Sequence, residues 1–277
     1  MTDTKQKVRE FYDEIGWQQE ADGSYQNARY EDLRPVTAEY IHRTRLRVNS
    51  GLIPTGRFLL DAGSGPVQYQ DYLTYSKGYE KRVCLDISIQ ALREARVRIG
   101  DHGLFVVADL ANLPFRENSF DAEVSMHAIH HLALEEHPRA YRELYRVLKP
   151  GRTAAVVNGW HEPLLSRMAE PMIGLMRRLS GKSAKKKKNW LDEESPDGTF
   201  VRKMTPEWLK REIGNQMPLE IRPWRSLSTR LLRWFIHPRL GGKLFLRFVF
   251  WLEDIFPAFF GENGQYPLII IKKDSTH

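Results

Sequence analysis

At 277 residues, 42% hydrophobic and 28% charged, the chain has the composition of an ordinary globular protein, with room for one large domain or two small ones. Its single cysteine, Cys84, excludes an internal disulfide framework and any multi-cysteine zinc site, and no run of about 18 apolar residues is available to cross a bilayer. The formal charge of +7 needs a location before it has a meaning.

The amino-terminal stretch "MTDTKQKVREFYDEIGW" has no apolar run after its charges, so it does not read as a signal peptide and the expected location is cytoplasmic. Within it, "VREFYDEIGW" fits an amphipathic helix presenting Phe11, Tyr12 and Trp17, either as a cover over a ligand or as a helix packed on a sheet.

From Arg57 to Trp160 short β-rich runs alternate with helical stretches. The strands are "RFLLDAG", "KRVCLDIS", "LFVVADL", "FDAEVSMH" and "RTAAVVNGW"; Cys84 falls inside the second, where a buried, inert thiol is expected. The helix "IQALREARVRIG" closes on Gly100, and "HPRAYRELYRVLKPG" is expected to end at Pro150 and Gly151. This order predicts a doubly wound, Rossmann-like α/β sheet covered on both faces. Such sheets bind ligands beyond the carboxyl ends of their strands, where strand order reverses.

Polar residues collect at those ends. The first strand runs into Asp61, Gly63, Ser64 and Gly65; the second ends in Asp86 with Ile87 after it; the third in Asp109 and Leu110; the fourth between Ser125 and His131; the fifth at Asn158. Any one aspartate could simply cap a loop, but three on successive strands suggest a shared ligand. Asp86, about twenty residues past the glycine turn, suits the ribose hydroxyls of an adenosine. Asp109 and the Leu110 amide suit adenine. Asp61 would repel a pyrophosphate at the turn and attract an ammonium group, which tells against a dinucleotide.

These residues resemble the class I S-adenosylmethionine-dependent methyltransferases, in the small-molecule branch that includes quinone methyltransferases. The likeness rests on "LLDAGSGP", "CLDIS", "VVADLANLPFRENSFDAEVSMHAIHHL" and "ELYRVLKPGR", in order over about residues 57 to 160. It implies S-adenosyl-L-methionine as cofactor and no metal. Asp61, Gly63, Ser64 and Gly65 would serve its methionine end, Asp86 and Ile87 the ribose, and Asp109 and Leu110 the adenine. Ser125 at the fourth strand and Tyr12 from a covering amino-terminal segment would complete the contacts. Pro66 and Val67 depart from the family's frequent third glycine, and Gly151 with Arg152 replaces its double glycine.

Methyl transfer needs a base only if the acceptor loses a proton. "SMHAIHHL" sets His127, His130 and His131 just beyond the fourth strand, where an imidazole is suited to that task. The His130–His131 pair recurs in the family without a catalytic role, so His127 is the first candidate, with His131, Asn158 and His161 behind it.

After Trp160, the helix "TPEWLKREIG" with Thr205 as its cap and the strands "LEIRPWRSL" and "QYPLIIIKK" complete the sheet, the last strand antiparallel. Helical insertions at 161–203 and 229–262 are expected to form a lid over the acceptor. The first contains the lysine run Lys185 to Lys188, read as a solvated loop. The second, "RLLRWFIHPRLGGKLFLRFVFWLEDIFPAFF", is basic and aromatic, with no acidic residue from Ile221 to Leu252. It suits either a helix lying at an anionic membrane surface or a core closing an apolar pocket.

The expected organisation is therefore a lid segment at 1–56, a cofactor-binding core at 57–160 and a completing part with lid insertions at 161–277. The expected reaction is O- or C-methylation of a small hydrophobic or lipid-linked acceptor. An NAD-dependent oxidoreductase and a catalytically silent binding protein at a membrane or in a complex are the alternatives. Nucleic acid is not an expected partner, since no recognised binding motif is present.

Overall fold

The computed structural model describes residues 3–17, 31–179 and 200–275; the lysine run at 185–188 lies outside the described residues. Seven strands, β1 (Gly56–Ala62), β2 (Tyr79–Asp86), β3 (Gly103–Val107), β4 (Phe120–Met126), β5 (Leu148–Val157), β6 (Leu219–Arg225) and β7 (Tyr266–Lys272), form one sheet in the order β3-β2-β1-β4-β5-β7-β6. Only β7 runs antiparallel to its neighbours among these strands. The chain winds outward from β1 to β3 and then returns to β4, so strand order reverses between β1 and β4.

Alternate side chains of each central strand enter opposite cores, as the two-residue period of a strand requires. Leu60, Ala154, Val156 and Ile269 face one core with Tyr141 and Leu144, while Leu59, Ala155, Val157 and Ile270 face the other with Tyr75 and Trp224. Pro223 is tolerated in β6 because that strand is the sheet edge, where a missing N–H breaks no inner ladder.

The helices, in chain order, are α1 (Asp3–Phe11), α2 (Ala38–Leu46), α3 (Ile89–Ile99), α4 (His137–Val147), α5 (Leu164–Leu179), α6 (Pro206–Glu212), α7 (Thr229–Phe235), α8 (Gly242–Ile255) and α9 (Pro257–Asn263). Ser88 caps α3 by accepting the Ala91 N–H, and Thr205 caps α6 by accepting that of Trp208. One boundary differs from expectation: α4 stops at Val147, and Leu148, Lys149 and Pro150 already belong to β5. Proline disfavours the helical conformation of the residue before it, so the helix ends ahead of the breaker pair.

The 229–262 insertion also departs from expectation. Its main helix, α8, packs Leu246, Val249 and Phe250 against Val36, Tyr40 and Ile41, beside and within α2. Its other side, with Leu244, Phe245, Phe248 and Trp251, is exposed. α8 is therefore not an all-buried core element, and the insertion reaches the strand ends through Arg230 of α7. Within the lid segment expected at 1–56, α2 likewise packs on α8, while among the described residues the part around α1 and Glu31 reach the strand ends.

Cys84 is fully buried in β2, and burial pushes its thiol up to about 12, so it is inert as expected. Beside it on the sheet, the Arg82 guanidinium donates to Asp61 Oδ2 from Nε at 3.0 Å and from Nη2 at 2.5 Å. Both side chains are almost wholly removed from solvent. Arg82→Met leaves a buried carboxylate without its partner and is expected to destabilise the fold by about 3–5 kcal/mol. Combining it with Asp61→Leu should recover most of that loss. Urea unfolding of both singles and the double checks this, and simple additivity of the losses would show that the two residues are uncoupled.

Candidate functional site

Where strand order reverses, β1 turns through Gly63, Ser64 and Gly65. Gly63 and Gly65 adopt φ of 75° and 54°, and the amides of Gly63 and Ser64 donate to the Leu85 carbonyl at 2.7 and 3.0 Å. Val67 takes the left-handed conformation, at φ 52°, where a third glycine would be relaxed. For a β-branched residue that costs roughly 1–2 kcal/mol. Its side chain is buried with Cys84, Leu92 and Ala95, which offsets the strain.

Asp86 receives the Gly65 N–H on Oδ2 at 2.8 Å and the Ser88 N–H on Oδ1 at 2.9 Å. Burial outweighs those two donors and raises its pKa to about 6. Asp109 accepts the Ala111 N–H on Oδ1, and its Oδ2 is paired at 2.6 Å with Lys5 of α1. Lys5 also bonds Glu136. Burial alone would lower the lysine's pKa, but the two carboxylates outweigh it and hold the value above the ordinary one. Asp61 departs from expectation: its carboxylate is held by Arg82 below the turn and does not line the cavity described next, so its charge is answered within the protein.

A cavity of about 860 Å³ opens over the carboxyl ends of the strands, large for a single small ligand. Gly63, Ser64, Gly65, Asp86, Ile87, Asp109 and Leu110 line one end. Tyr12, from the π-helical turn Tyr12–Gly16 after α1, lies in its wall with Phe11 and Trp17. Asp13 fixes this segment by accepting from Ser88 Oγ at 2.5 Å. Ser125 and Asn158 are fully buried and do not line the cavity. His161 does reach it.

The histidines are placed as expected but not with the expected chemistry. Tyr12 O–H lies 2.8 Å from His131 Nε2, and His131 Nδ1 lies 2.7 Å from the Phe200 carbonyl. A carbonyl only accepts, so Nδ1 carries the proton and Nε2 accepts from Tyr12. Burial lowers the His131 pKa to about 4. His127, at φ 57°, stands edge-on to Trp224 and Tyr266 at 5.1 and 5.4 Å, and burial with the Arg225 charge lowers it to about 3. Both rings are neutral at pH 7 and are feeble proton acceptors, which tells against either as a general base.

The far end of the cavity joins aromatic rings of Tyr69, Tyr72, Trp160, Trp224 and Tyr266 to the charged side chains of Glu31, Arg167, Glu170, Lys203, Arg225 and Arg230. Sequence reasoning missed Lys5, Arg82, Lys203 and Arg225. No local signal singles out Arg82, which follows Glu80 and Lys81 in β2, and its need for a carboxylate shows only once it is seen to be buried. The others come together only through the fold.

Residues 60–156 match the family model described as a methyltransferase domain. The chain is 36% identical over 101 residues to the tRNA (carboxymethyluridine(34)-5-O)-methyltransferase of Arabidopsis thaliana, 36% of this chain and 23% of that protein. It is 27% identical over 151 residues to the ubiquinone/menaquinone biosynthesis C-methyltransferase UbiE of Yersinia pestis, 52% of this chain and 59% of that one. The chain thus spans less than two thirds of either relative's length. Among solved structures, the geranyl diphosphate C-methyltransferase of Streptomyces coelicolor A3(2), determined with Mg2+, geranyl diphosphate and S-adenosyl-L-homocysteine, superposes with a TM-score of 0.56 at 16% identity, covering 98% of both chains. The shared fold is the Rossmann-like class I methyltransferase fold, and the stretch of this chain that is similar to the methyltransferase domain family, residues 60–156, lies within it.

The two turn glycines make different demands. A Cβ on Gly63 would lie 2.3 Å from Ala128 Cβ, held by backbone, whereas one on Gly65 would meet the Trp17 ring at 3.0 Å. Gly63→Ala should therefore lower thermal stability by about 1–3 kcal/mol, and Gly65→Ala by less, since a side chain at the cavity rim can shift. Thermal unfolding of both variants gives the order, and the reverse order would show that the Ala128 contact is not the constraint.

Proposed function

We propose that the protein transfers a methyl group from S-adenosylmethionine to an oxygen or carbon of a small hydrophobic or lipid-linked acceptor. One observation carries this reading: a single cavity has a glycine turn and two strand-end aspartates at one end, an aromatic wall at the other, and His127–Ala128 between them. Bound there, S-adenosylmethionine supplies an electrophilic methyl on a sulfonium. Asp86 would receive the ribose hydroxyls, Asp109 and Leu110 would face the adenine, and the Gly63–Gly65 turn would lie along the methionine end. Tyr12, held by His131, and Trp17, against Gly65, would cover the cofactor and keep water from the transfer. The aromatic end would hold the acceptor in line. The relatives' acceptors range from a tRNA uridine to quinones, so the acceptor is read from this cavity and not from the family.

Transfer of labelled methyl from S-adenosylmethionine into cell extract tests the reading. Label in the organic-soluble fraction is expected; label confined to RNA or protein overturns the choice of acceptor, and no label returns the protein to the silent binding role. Cofactor affinity adds a pH signature. Ribose hydroxyls donate to the ionised form of Asp86, so below about pH 6 binding must expel a proton. Calorimetric affinity for S-adenosylhomocysteine should be flat above pH 7 and fall toward pH 5 by up to about tenfold per unit. Asp86→Asn should bind weakly and lose this dependence; a flat wild-type profile would remove Asp86 from the site.

The same reading places the protein at the cytoplasmic face of an anionic membrane, with the exposed side of α8 and α9 against the lipid. Leu244, Phe245, Phe248, Trp251, Ile255 and Phe259 are exposed there, and Arg239, Lys243 and Arg247 lie beside them. No helix among the described residues is long and apolar enough to cross a membrane, so the contact would be peripheral. Co-sedimentation with phosphatidylglycerol vesicles but not phosphatidylcholine ones is expected, and the Phe248→Glu, Trp251→Glu double variant should abolish it. Equal sedimentation of that variant, or self-association masking the face in light scattering, overturns the assignment.

A further inference from the structure

We propose that the cavity selects an acceptor bearing an oxyanion, a carboxylate or a phosphate monoester, on an apolar body, with Lys203 and Arg225 receiving the charge. This deepens the methyl-transfer reading and rests on it for the role of the bound molecule.

Among the described residues, the charges at the aromatic end do not cancel. Glu31 is already engaged, by Arg225 Nη1 at 3.1 Å and by Arg45, which stacks at 3.5 Å on the Tyr69 ring. Glu170 is paired with Arg230 at 2.6 Å. Among the described residues, no carboxylate pairs with Lys203 or Arg167, and both line the cavity. Cations facing a partly enclosed, aromatic-walled space attract an anion more strongly than they would in open water.

Position adds to charge. A Cβ on Gly159, just past the end of β5, would lie 3.6 Å from Lys203 Nζ and 3.5 Å from the Tyr266 ring, so the ammonium stands beside that ring. The Lys203 and Arg225 charges both reach His127, which places them around one point near the boundary between the two ends of the cavity. Arg225 is 3% exposed and its guanidinium carbon lies 4.7 Å from the Tyr266 ring centroid. Its Nη1 and Nη2 are engaged, but Nε donates to no acceptor among the described residues. His130 Nδ1, in the same wall, is likewise without a hydrogen-bond partner there. Both atoms are closed off from the cavity space, so Arg225 acts on a bound anion through its charge. The rings of Trp224, Tyr266, Tyr69 and Tyr72 suit the apolar remainder of such a molecule. The weak basicity of His127 and His131 fits the same picture, since a group that arrives ionised needs no proton removed.

The probes are octanoate, octyl phosphate and octanol, which share a chain and differ in head group. Calorimetry on the full chain, with and without saturating S-adenosylhomocysteine, should show at least one anion binding about tenfold or more above octanol. Which anion is preferred separates a carboxylate acceptor from a phosphate one. Lys203→Met should remove most of the preference while S-adenosylhomocysteine affinity stays unchanged. Arg225→Met should remove it further; because Arg225 is buried and this variant could fail to fold, the exposed Lys203 decides the result. Equal binding of octanol, or an undiminished preference in Lys203→Met, overturns the proposal. Failure of S-adenosylhomocysteine to bind would instead strike the methyl-transfer reading, and anion selectivity would still be measurable without it.

Discussion

One guanidinium fixes the turn on which the site is built. Arg82 holds Asp61, two residues before Gly63, and through Nη1 donates at 2.6 Å to the Tyr72 carbonyl, beyond the far side of the same turn. Entry and exit of the loop are thus clamped by a side chain that rises from the neighbouring strand. The clamp lies in the sheet's interior, where an unpaired charge is far more costly than at the surface, so the arrangement is all or nothing. It explains how the loop carries three left-handed residues, one of them the strained Val67, without collapsing into a more relaxed path.

Much of this was legible in the residues. The β-branched runs, the helices between them and the cap at Thr205 are local signals, and each resolved into its element with boundaries within a few residues. The strand-end residues Gly63, Asp86 and Asp109 were legible too, because strand ends at a reversal of order are where such a sheet places its ligand. What the sequence could not show is which oxygen is already spoken for. Asp61 reads as a free charge until Arg82, 21 positions later, is seen to occupy it. Asp109 reads as an open acceptor until Lys5, 104 positions earlier, is seen against it. These pairings are long-range, and no periodicity encodes them.

The same distinction governs the histidines. Their spacing brought all three to the cavity, but their basicity is set by what the fold packs around them. Burial and the Arg225 charge act together on His127, and burial acts on His131 against a single backbone carbonyl. An imidazole whose two nitrogens are committed to Tyr12 and Phe200 ties the amino-terminal segment to the cavity wall, and the proposed methyl transfer would rest chiefly on positioning.

The positive charge that opened the sequence now has two addresses with different physics. In the cavity, the exposed Lys203 and Arg167 and the buried Arg225 line a partly enclosed, aromatic-walled space, where charge acts more strongly than on an open surface. On α8, Lys243 and Arg247 flank exposed rings in open solvent, with Arg247 already paired to Glu39 at 2.8 Å, so their attraction is salt-sensitive and unselective. An amphiphilic anion would meet both in turn, first a surface that gathers it with its lipid neighbours and then a pocket that tests its head group. Selectivity would belong to the second, because there Lys203 and the buried Arg225 charge act on a head group held against the aromatic wall.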